Sequence, residues 1–348
     1  MSERAAIDLD AYDFPLPPER IAQEPPAERD GARLLQLDRT SGTRTHHAIR
    51  DLPALLAPGD LLVVNATRVL PARLRGERST GGAASALLLG PGSAANRYRA
   101  LVRTRGRQRA GLKFRFRGNG QTLDAELVSL AGDGEVELAF ADGASPYAAG
   151  ETPLPPYIRR DAPRAQDAER YQTVFAREPG SVAAPTAGLH LSQALLAALT
   201  ARGIRRAELV LHVGRGTFSP LADEALRARR LHAERYALPE ATAQAIRAAR
   251  ARGSRVVAVG TTTARVLETC ADERGEVAAG AGTTELFLAP GDRFRAVDAL
   301  LTNFHLPRSS LLLLVAAFAG RAPVLAAYSE AIERGYRFYS YGDAMLVA

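Results

Sequence analysis

The chain contains 348 residues, 46% of them hydrophobic and 24% charged, a composition and length typical of a soluble globular protein of two domains. The single cysteine, Cys270, excludes an internal disulfide and a cysteine-rich metal site, and with the lack of a signal peptide it predicts a cytoplasmic protein. The net charge of +7 favours a polyanionic partner, although the arginine- and alanine-rich composition expected of a GC-rich genome offers a second explanation.

Two kinds of sequence predict the domain organisation. Residues 1–71 contain a proline-rich start, a short helix and the apolar run 61–64, which is typical of a buried strand. Between residues 72 and 152, short alternating segments are separated by glycine-rich turns, a pattern that predicts a small β-barrel. We therefore predict a discontinuous α/β catalytic domain formed by residues 1–71 and 153–348, with the barrel inserted at 72–152.

The positive charge of the predicted barrel is concentrated in its first half. Residues 73–117 contain twelve basic side chains and one acid, whereas residues 118–151 contain seven acids and no base. Basic residues recur at every second position, which in a strand places them on one face, where they could follow a phosphate backbone. The alternative is a solvated face that the acidic strands neutralise. The candidate nucleic-acid contacts are Arg103, Arg105, Arg107, Arg109, Lys113, Arg115 and Arg117.

After residue 153, strands and helices alternate, which favours a mixed or largely parallel sheet covered by helices. The predicted strands include "AELVLHVGRGTF", "RVVAVG", "LLTNFHL" and "YRFYSYGDAMLV", and the helices include "PEATAQAIRAARARG", "TTTARVLETCADE" and "PVLAAYSEAIERG". The predicted fold class is therefore α/β, a helix-covered mixed sheet with an inserted small β-barrel. The apolar run 311–319 is shorter than the roughly 20 residues that span a membrane, and it predicts a buried helix capped by Ser309 or Ser310.

Polar residues follow several predicted strands, and α/β proteins bind ligands at such points. Asn303 and His305 end one strand. In "VAVGTTTARVLE" three threonines could cap a helix and leave its first N–H groups free for an anion. Arg265, one turn further on, could pair with a carboxylate. The alternative, which explains the pattern equally well, is capping of a helix with a purely structural role. Gly214 and Gly216 form a G-x-G that no helix follows, so they predict close approach to a ligand rather than a dinucleotide loop.

Histidines and aromatic residues also collect in polar segments. Four of the six histidines lie in turns or at strand ends, where they serve either acid–base catalysis or structure: His190, His212, His232 and His305. Their spacing with Glu234 matches no compact zinc site, so we predict no bound metal. Segment 336–343 holds three tyrosines and a phenylalanine, whose faces could contact a sulfonium or a base; core packing is the alternative.

Together these segments resemble one family, the S-adenosylmethionine:tRNA ribosyltransferase-isomerases of queuosine biosynthesis. The resemblance extends over essentially the whole chain and is carried, in order, by "YDFPLPPERIAQ", "RDGARLL", "GDLLVVNATRVLPARL", "RYQTVFA", "GSVAAPTAGLH", "LHVGRGTF", "LLTNFHLPRSSLLLLVAAFAG" and "YRFYSYGDAML". The chain departs from the family pattern at Ala66 in place of an aspartate, at Leu191 in place of a phenylalanine, and in "LRARRL", where the family has a further histidine and a methionine.

The resemblance implies a transferase that moves and isomerises the ribosyl part of S-adenosylmethionine onto 7-aminomethyl-7-deazaguanine at the wobble position of tRNA. The products would be epoxyqueuosine, adenine and methionine. It implies no cofactor beyond S-adenosylmethionine and no membrane, and we expect a monomer whose barrel cations contact the tRNA. The residues placed against S-adenosylmethionine are Asn65, Arg68, Thr186, Gly188, Gly214, Gly216, Thr217, Arg265, Asn303 and His305.

The same reaction needs groups that move protons, because the amine and a carbon next to the sulfonium must each lose one. The candidates are His190, His212, Glu234 and Asp343. Two other interpretations remain open: an RNA-binding protein without catalytic activity, and a metal-dependent hydrolase built on the histidines.

Overall fold

Alternating and continuous apolar runs form the strands of the protein. The computed structural model describes residues 7–160, 162, 164–214, 216 and 223–348. The strands within this part are β1 (Arg33–Leu37), β2 (Arg44–Ala48), β3 (Leu61–Asn65), β4 (Thr67–Val69), β5 (Arg73–Arg78), β6 (Ala83–Pro91), β7 (Arg97–Thr104), β8 (Lys113–Gly118), β9 (Gln121–Leu130), β10 (Glu135–Phe140), β11 (Glu178–Ser181), β12 (Arg205–Leu211), β13 (Arg230–Leu238), β14 (Val256–Val259), β15 (Gly280–Leu286), β16 (Ala299–Asn303) and β17 (Ala344–Val347). The α-helices are α1 (Leu52–Leu55), α2 (Ala165–Arg170), α3 (Gln193–Ala201), α4 (Asp223–Ala228), α5 (Glu240–Ala251), α6 (Thr261–Cys270), α7 (Ser310–Ala319) and α8 (Arg321–Glu333).

A nine-stranded mixed sheet forms the larger part of the molecule, in the order β15-β13-β12-β3-β14-β16-β17-β1-β2. Strands β12, β3, β14 and β16 are parallel neighbours. Every residue of β3, β14 and β16 is buried, because successive side chains enter two hydrophobic cores on opposite faces of the sheet. Helices α5 to α8 pack on one face and α1 and α3 on the other, so the predicted helix-covered mixed sheet is confirmed.

The closed barrel is the second structural unit. Its six antiparallel strands follow the order β10-β7-β6-β5-β8-β9, and their inward side chains form a core of their own around Phe114 and Phe116. The chain enters and leaves at one point, since the backbone of Arg73 exchanges hydrogen bonds of 3.1 and 2.9 Å with that of Glu151. The predicted barrel is therefore confirmed, while the domain boundaries at residues 72 and 152 stay a prediction.

The apolar segment after β16 forms the predicted buried helix. Ser309 caps α7 by accepting a hydrogen bond from the amide of Leu312 at 3.2 Å. Among the described helices, none is long and apolar enough on its own to cross a membrane. Helices α7 and α8 are long and apolar enough only when they are taken together, and they are bent by 116° relative to each other.

Four predicted strands were longer than the observed ones. Those in "AELVLHVGRGTF" and "LLTNFHL" end at Leu211 and Asn303, and the other two concern the barrel arginines and the C-terminal segment. Strand β7 ends at Thr104, so Arg105, Arg107 and Arg109 lie in the turn that leads to β8 rather than on a strand face. In the C-terminal segment only Ala344–Val347 is a strand, because the chain turns before it, with Tyr339 at a φ of +73°. In both segments a period-two pattern occurs without the ladder of backbone hydrogen bonds that defines a strand.

Candidate active site

A cleft opens at the carboxyl ends of the parallel strands. It measures about 700 Å³, including the part open to solvent. The ends of β14 and β16, the start of α6 and three tyrosines line it. Ligands of α/β proteins commonly bind at this edge of the sheet, because the strand-to-helix turns gather there.

A buried ion pair lies at one end of the cleft. Arg265, one turn into α6, pairs through Nη1 with Oε2 of Glu234 on β13, and the two residues are 5% and 7% exposed. Glu234 Oε1 also accepts a hydrogen bond from the Gly214 amide (2.8 Å), and Arg265 Nε donates to the Leu286 carbonyl (3.0 Å). The Nη2 of Arg265 is buried and has no hydrogen-bond partner among the described residues. A ligand carboxylate would supply the missing acceptor.

The helix that carries Arg265 begins without a side-chain cap. Gly260 precedes it at a φ of +89°, and Thr261 and Thr262 line the cleft from its first turn. Thr263 bonds back to the carbonyl of Val259 at 2.8 Å, so the prediction that these threonines cap the helix was wrong. The first backbone N–H groups of a helix lack intrahelical acceptors and favour an anion, so this end of the cleft is electropositive.

Asn303, the last residue of β16, joins three segments of the cleft. Its Oδ1 accepts a hydrogen bond from Thr186 Oγ1 (3.0 Å), and its Nδ2 donates to the carbonyl of Tyr339 (3.0 Å). The side chain is 2% exposed, and both ends of its amide are already engaged. Asn303 therefore positions Thr186 and Tyr339 at the cleft.

Three tyrosines form an aromatic wall of the cleft: Tyr157, Tyr171 and Tyr339. The rings of Tyr157 and Tyr339 meet edge to face with centroids 3.9 Å apart, and the hydroxyl groups of Tyr157 and Ser340 are 2.5 Å apart. Burial raises the pKa of Tyr339 to about 12 and the pKa of Tyr157 well above its usual value, so both phenols are neutral at working pH. Neutral aromatic faces attract cations, and a sulfonium is one such cation.

His305 lines the same cleft as a neutral group. Its Nε2 lies 2.9 Å from Thr302 Oγ1, and its backbone amide donates to the hydroxyl of Tyr328 at 3.0 Å. Burial lowers the pKa of His305 to about 3. An imidazole with this pKa stays unprotonated at neutral pH and is a weak base, so His305 acts by hydrogen bonding rather than by carrying a proton.

The depressed pKa of His305 predicts a stability that depends on pH. In the unfolded chain this imidazole takes a proton below about pH 6.5, whereas folded His305 stays neutral down to about pH 3. Its contribution to stability is therefore present above pH 6.5 and is lost as the pH falls towards 3. We expect His305→Asn to reduce the fall in Tm between pH 6.5 and 4, measured by thermal unfolding at fixed ionic strength.

The fall in Tm should shrink without vanishing. Burial also lowers the pKa of His190. The stability that neutral His190 contributes is therefore also lost as the pH falls, and this histidine is still present in the variant. A His305→Asn protein whose Tm falls as steeply as that of the wild type would contradict the assignment.

Sequence comparison identifies the family. The sequence model of a family described as "Queuosine biosynthesis protein" matches residues 9–347. The chain belongs to this family. The resemblance inferred from the separate motifs is thereby confirmed.

Relatives in this family match over nearly their whole length. The S-adenosylmethionine:tRNA ribosyltransferase-isomerase of Anaeromyxobacter dehalogenans (strain 2CP-C) is 53% identical over 97% of this chain and 99% of that protein. A protein of the same name from Gloeobacter violaceus is 49% identical over 97% and 95% of the two chains. The crystal structure of S-adenosylmethionine tRNA ribosyltransferase from Thermotoga maritima is 37% identical, with a TM-score of 0.57 over 97% of this chain and 100% of that one. These findings give no support to the hydrolase or to the non-catalytic RNA-binding protein.

The fold of this family member brings six of the ten predicted ligand residues to the cleft or to its edge. Those in the cleft wall, including one carboxylate predicted for proton transfer, are Thr186, Glu234, Arg265, Asn303 and His305. Gly214 contributes its amide to Glu234, and Asn65 Nδ2 lies 3.4 Å from Thr262 Oγ1. Residues that do not line the cleft are Arg68, Gly188, His190, His212, Gly216 and Asp343. Thr217 lies outside the described residues.

His190 and Asp343 hold the C-terminal segment in place. The ring nitrogens of His190 lie 3.1 and 2.9 Å from the carbonyl oxygens of Ala187 and Gly342. Asp343 accepts hydrogen bonds from the backbone and guanidinium of Arg33 and from the amide of Arg337. Both side chains are 2% exposed. Their predicted roles in proton transfer stay predictions to which these contacts add no support.

His212 lies beside the cleft rather than in its wall. Its Nδ1 is 2.9 Å from Thr67 Oγ1, and its ring packs on Gly180, where a Cβ would lie 2.7 Å from the imidazole. The neighbouring residue, Val213, lines the cleft instead. Burial and the nearby Arg235 lower the pKa of His212, so its imidazole is neutral and able to accept a proton. Its predicted catalytic role stays a prediction.

Sequence reasoning missed part of the aromatic wall. Tyr157 follows a proline-rich stretch, and Tyr171 ends the short helix α2, so neither belongs to a regular pattern that points to a site. Ser340 was missed as well. The left-handed conformation of Tyr339, at a φ of +73°, is costly for an aromatic residue, and residues held in such conformations cluster at active sites.

No group of three or more histidine, cysteine, aspartate or glutamate side chains among the described residues is arranged to hold a metal ion. His305, for example, contacts a threonine hydroxyl, and Glu234 contacts an arginine. These two side chains of the cleft are therefore engaged by a neighbouring hydroxyl and a neighbouring cation.

The barrel cations divide into two sets. The loop arginines (Arg105, Arg107 and Arg109) are exposed and form no ion pair with a described residue. The β8 cations (Lys113, Arg115 and Arg117) are exposed on one strand face, as predicted, but Arg115 pairs with Asp124 at 2.8 Å and Arg117 pairs with Glu77 at 2.9 Å. Arg103 is exposed on β7.

Proposed function

We propose that this protein transfers and isomerises the ribosyl moiety of S-adenosylmethionine onto 7-aminomethyl-7-deazaguanine at the wobble position of tRNA. The products are epoxyqueuosine in the tRNA, adenine and methionine. Family membership and near-full-length relatives of that activity by name support the proposal. The observation that carries it is the cleft itself, in which a buried Arg265–Glu234 pair faces a wall of neutral tyrosines.

The cleft matches the charges of S-adenosylmethionine. Its carboxylate is placed at the start of α6, against Arg265 Nη2 and the N–H groups of the first turn, where both the charge and the free donors favour an anion. Glu234 supplies the counter-charge for the ammonium or sulfonium. The tyrosine wall, with Tyr339 and Tyr157 at its centre, contacts the sulfonium and the adenosine.

The geometry also limits what the predicted proton carriers do. Both oxygens of Glu234 already accept hydrogen bonds, and its partner is a guanidinium. We therefore assign Glu234 to binding and positioning. His212, neutral and beside the cleft, is the remaining candidate to take the proton of the attacking amine.

The tRNA is placed along the barrel. Exposed arginines without carboxylate partners bind phosphates by releasing counterions, and the loop arginines meet this description. RNA enzymes that act on a single base commonly take it out of the stack, so the wobble base would enter the cleft while the strand stays outside. A tRNA substrate also fits a cytoplasmic location.

Adenine release tests the proposal directly. We expect the protein to release adenine from S-adenosylmethionine only when tRNA carrying the 7-aminomethyl base is present. Liquid chromatography measures the adenine, and mass spectrometry of the digested tRNA measures the matching mass gain. Tight tRNA binding without adenine release would refute the transfer reaction and favour a binding protein.

A further inference from the structure

A second, smaller pocket adjoins the candidate active site. It measures about 240 Å³ including the part open to solvent, and it is lined by the N-terminal segment 25–29, the end of α2 and the C-terminal turn. Ser340 belongs to both pockets, and the ring of Tyr341 in the smaller pocket meets that of Tyr171 in the larger one, with centroids 5.9 Å apart. Anything held in the small pocket therefore lies next to the proposed substrate cleft.

Two buried donors of this pocket lack acceptors. Tyr341 is 2% exposed, and its hydroxyl has no hydrogen-bond partner among the described residues. The same holds for Nε of Arg170. Native proteins pair almost all of their buried polar groups, because an unpaired one costs free energy. A bound acceptor would satisfy a group of this kind.

The pocket also carries positive charge that no carboxylate pairs with among the described residues. Arg29 donates to the carbonyl oxygens of Glu169 (2.9 Å) and Leu189 (3.3 Å), and Arg170 donates to those of Pro26 and Ala27. These bonds fix both guanidinium groups without neutralising them. Burial and repulsion by the nearby charge of Arg170 lower the pKa of Arg29, and the charge of Glu169 offsets part of this decrease.

The pocket thus combines two fixed guanidinium groups, a buried phenol and a neutral histidine. His190, on its wall, turns both ring nitrogens to backbone carbonyls. Guanidinium pairs with an added hydroxyl donor match the several acceptor oxygens of a phosphate group. No carboxylate among the lining residues opposes such an anion.

We propose that the Arg29–Arg170–Tyr341 pocket binds a backbone phosphate of the RNA strand beside the nucleotide that enters the cleft. This inference rests on the proposed function, because that reaction brings an RNA strand to the cleft. Phosphate contacts fix the register of a strand on a protein. Holding a flanking phosphate while the base enters the adjoining cleft would orient its amine towards the ribosyl group.

Tyr341→Phe tests the inference with the smallest change. Without RNA the variant should be as stable as the wild type or more so, because an unpaired buried hydroxyl is lost. Its affinity for tRNA carrying the 7-aminomethyl base should fall by about tenfold, since a hydrogen bond to a charged group is removed. Its affinity for S-adenosylmethionine should not change. Tyr12→Phe removes a hydroxyl near α8 and is the matched control, with unchanged tRNA affinity.

Arg170→Gln gives an independent readout. Removing one phosphate contact should lower the slope of log affinity against log salt by about 1. Arg252→Gln, which removes one exposed charge at the end of α5, should leave this slope unchanged. If Tyr341→Phe and Arg170→Gln keep the tRNA affinity and salt slope of the wild type, the inference is wrong, whatever the adenine assay shows.

Two further outcomes separate the inference from the proposed function. Weakened tRNA binding in both variants, with no adenine release by the wild type, would support the phosphate pocket and refute the transfer reaction. Inorganic phosphate, titrated at constant ionic strength, tests for a free anion instead. If phosphate raises the Tm of the wild type but not of Tyr341→Phe, while the tRNA affinity of both is equal, the pocket binds free phosphate and the assignment to RNA fails.

Discussion

Replacement of Arg265 by glutamine is expected to weaken the binding of S-adenosylmethionine by about tenfold to a hundredfold. The change removes the guanidinium that we place against the ligand carboxylate, and hydrogen bonds to charged groups are worth about 1.5–3 kcal/mol. Calorimetric titration without tRNA measures the affinity. Adenine release at saturating modified tRNA measures the loss of turnover that accompanies it.

Loss of stability has to be separated from loss of binding. Arg265→Gln leaves the buried Glu234 without its counter-charge, which is expected to cost about 3–5 kcal/mol of folding free energy. The double variant with Glu234→Gln removes the unpaired buried charge, leaving two neutral amides, and should recover part of the Tm. Its affinity for S-adenosylmethionine should stay low. A double variant that binds S-adenosylmethionine as tightly as the wild type would remove Arg265 from the site.

Local patterns in the sequence were sufficient to predict the main elements. Strands β3 and β14 are buried on both faces, so each contains a run of four apolar residues that is too short for a helix. In β8 the apolar residues alternate with exposed cations because one face packs in the barrel core. These patterns reflect which faces of a strand are buried, and that repeats regularly along the strand.

The same reasoning failed where alternation has another cause. The loop arginines follow β7 with the period of a strand, yet Gly106 between them has a φ of +80°, and no partner strand continues there. In the C-terminal segment, Gly342 lies against the backbone at Arg337, where a Cβ would approach a carbonyl oxygen to 2.5 Å. Tight turns of this kind depend on backbone conformation and close packing, which the spacing of side chains does not encode.

The site could be predicted residue by residue but not as an arrangement. Arg265 was expected to pair with a carboxylate, but the sequence does not show that Glu234, 31 residues earlier, would be that partner within the protein. Asn303 was expected to face a ligand and lines the cleft, but the sequence does not show that its amide would link Thr186 to Tyr339. Such contacts arise from the order of strands in the sheet, so they follow from the tertiary fold.

Neutralisation of the three loop arginines to glutamine is expected to weaken tRNA binding more than neutralisation of the three β8 cations. The loop arginines have no described ion pair, whereas two of the β8 cations would have to leave Asp124 and Glu77 to contact a phosphate. Each phosphate that the protein no longer binds lowers the slope of log affinity against log salt by about 1. We therefore expect the slope to fall by up to about 3 in the loop variant.

The β8 variant is the matched control, because it removes the same number of charges from the same barrel. Neither set lines the cleft, so both variants should bind S-adenosylmethionine like the wild type and should turn over at saturating tRNA. Equal losses of tRNA affinity would mean that the total charge of the barrel matters rather than the placement of its cations. A larger loss in the β8 variant would place the RNA along the strand, because the phosphates would then have displaced the cross-strand carboxylates.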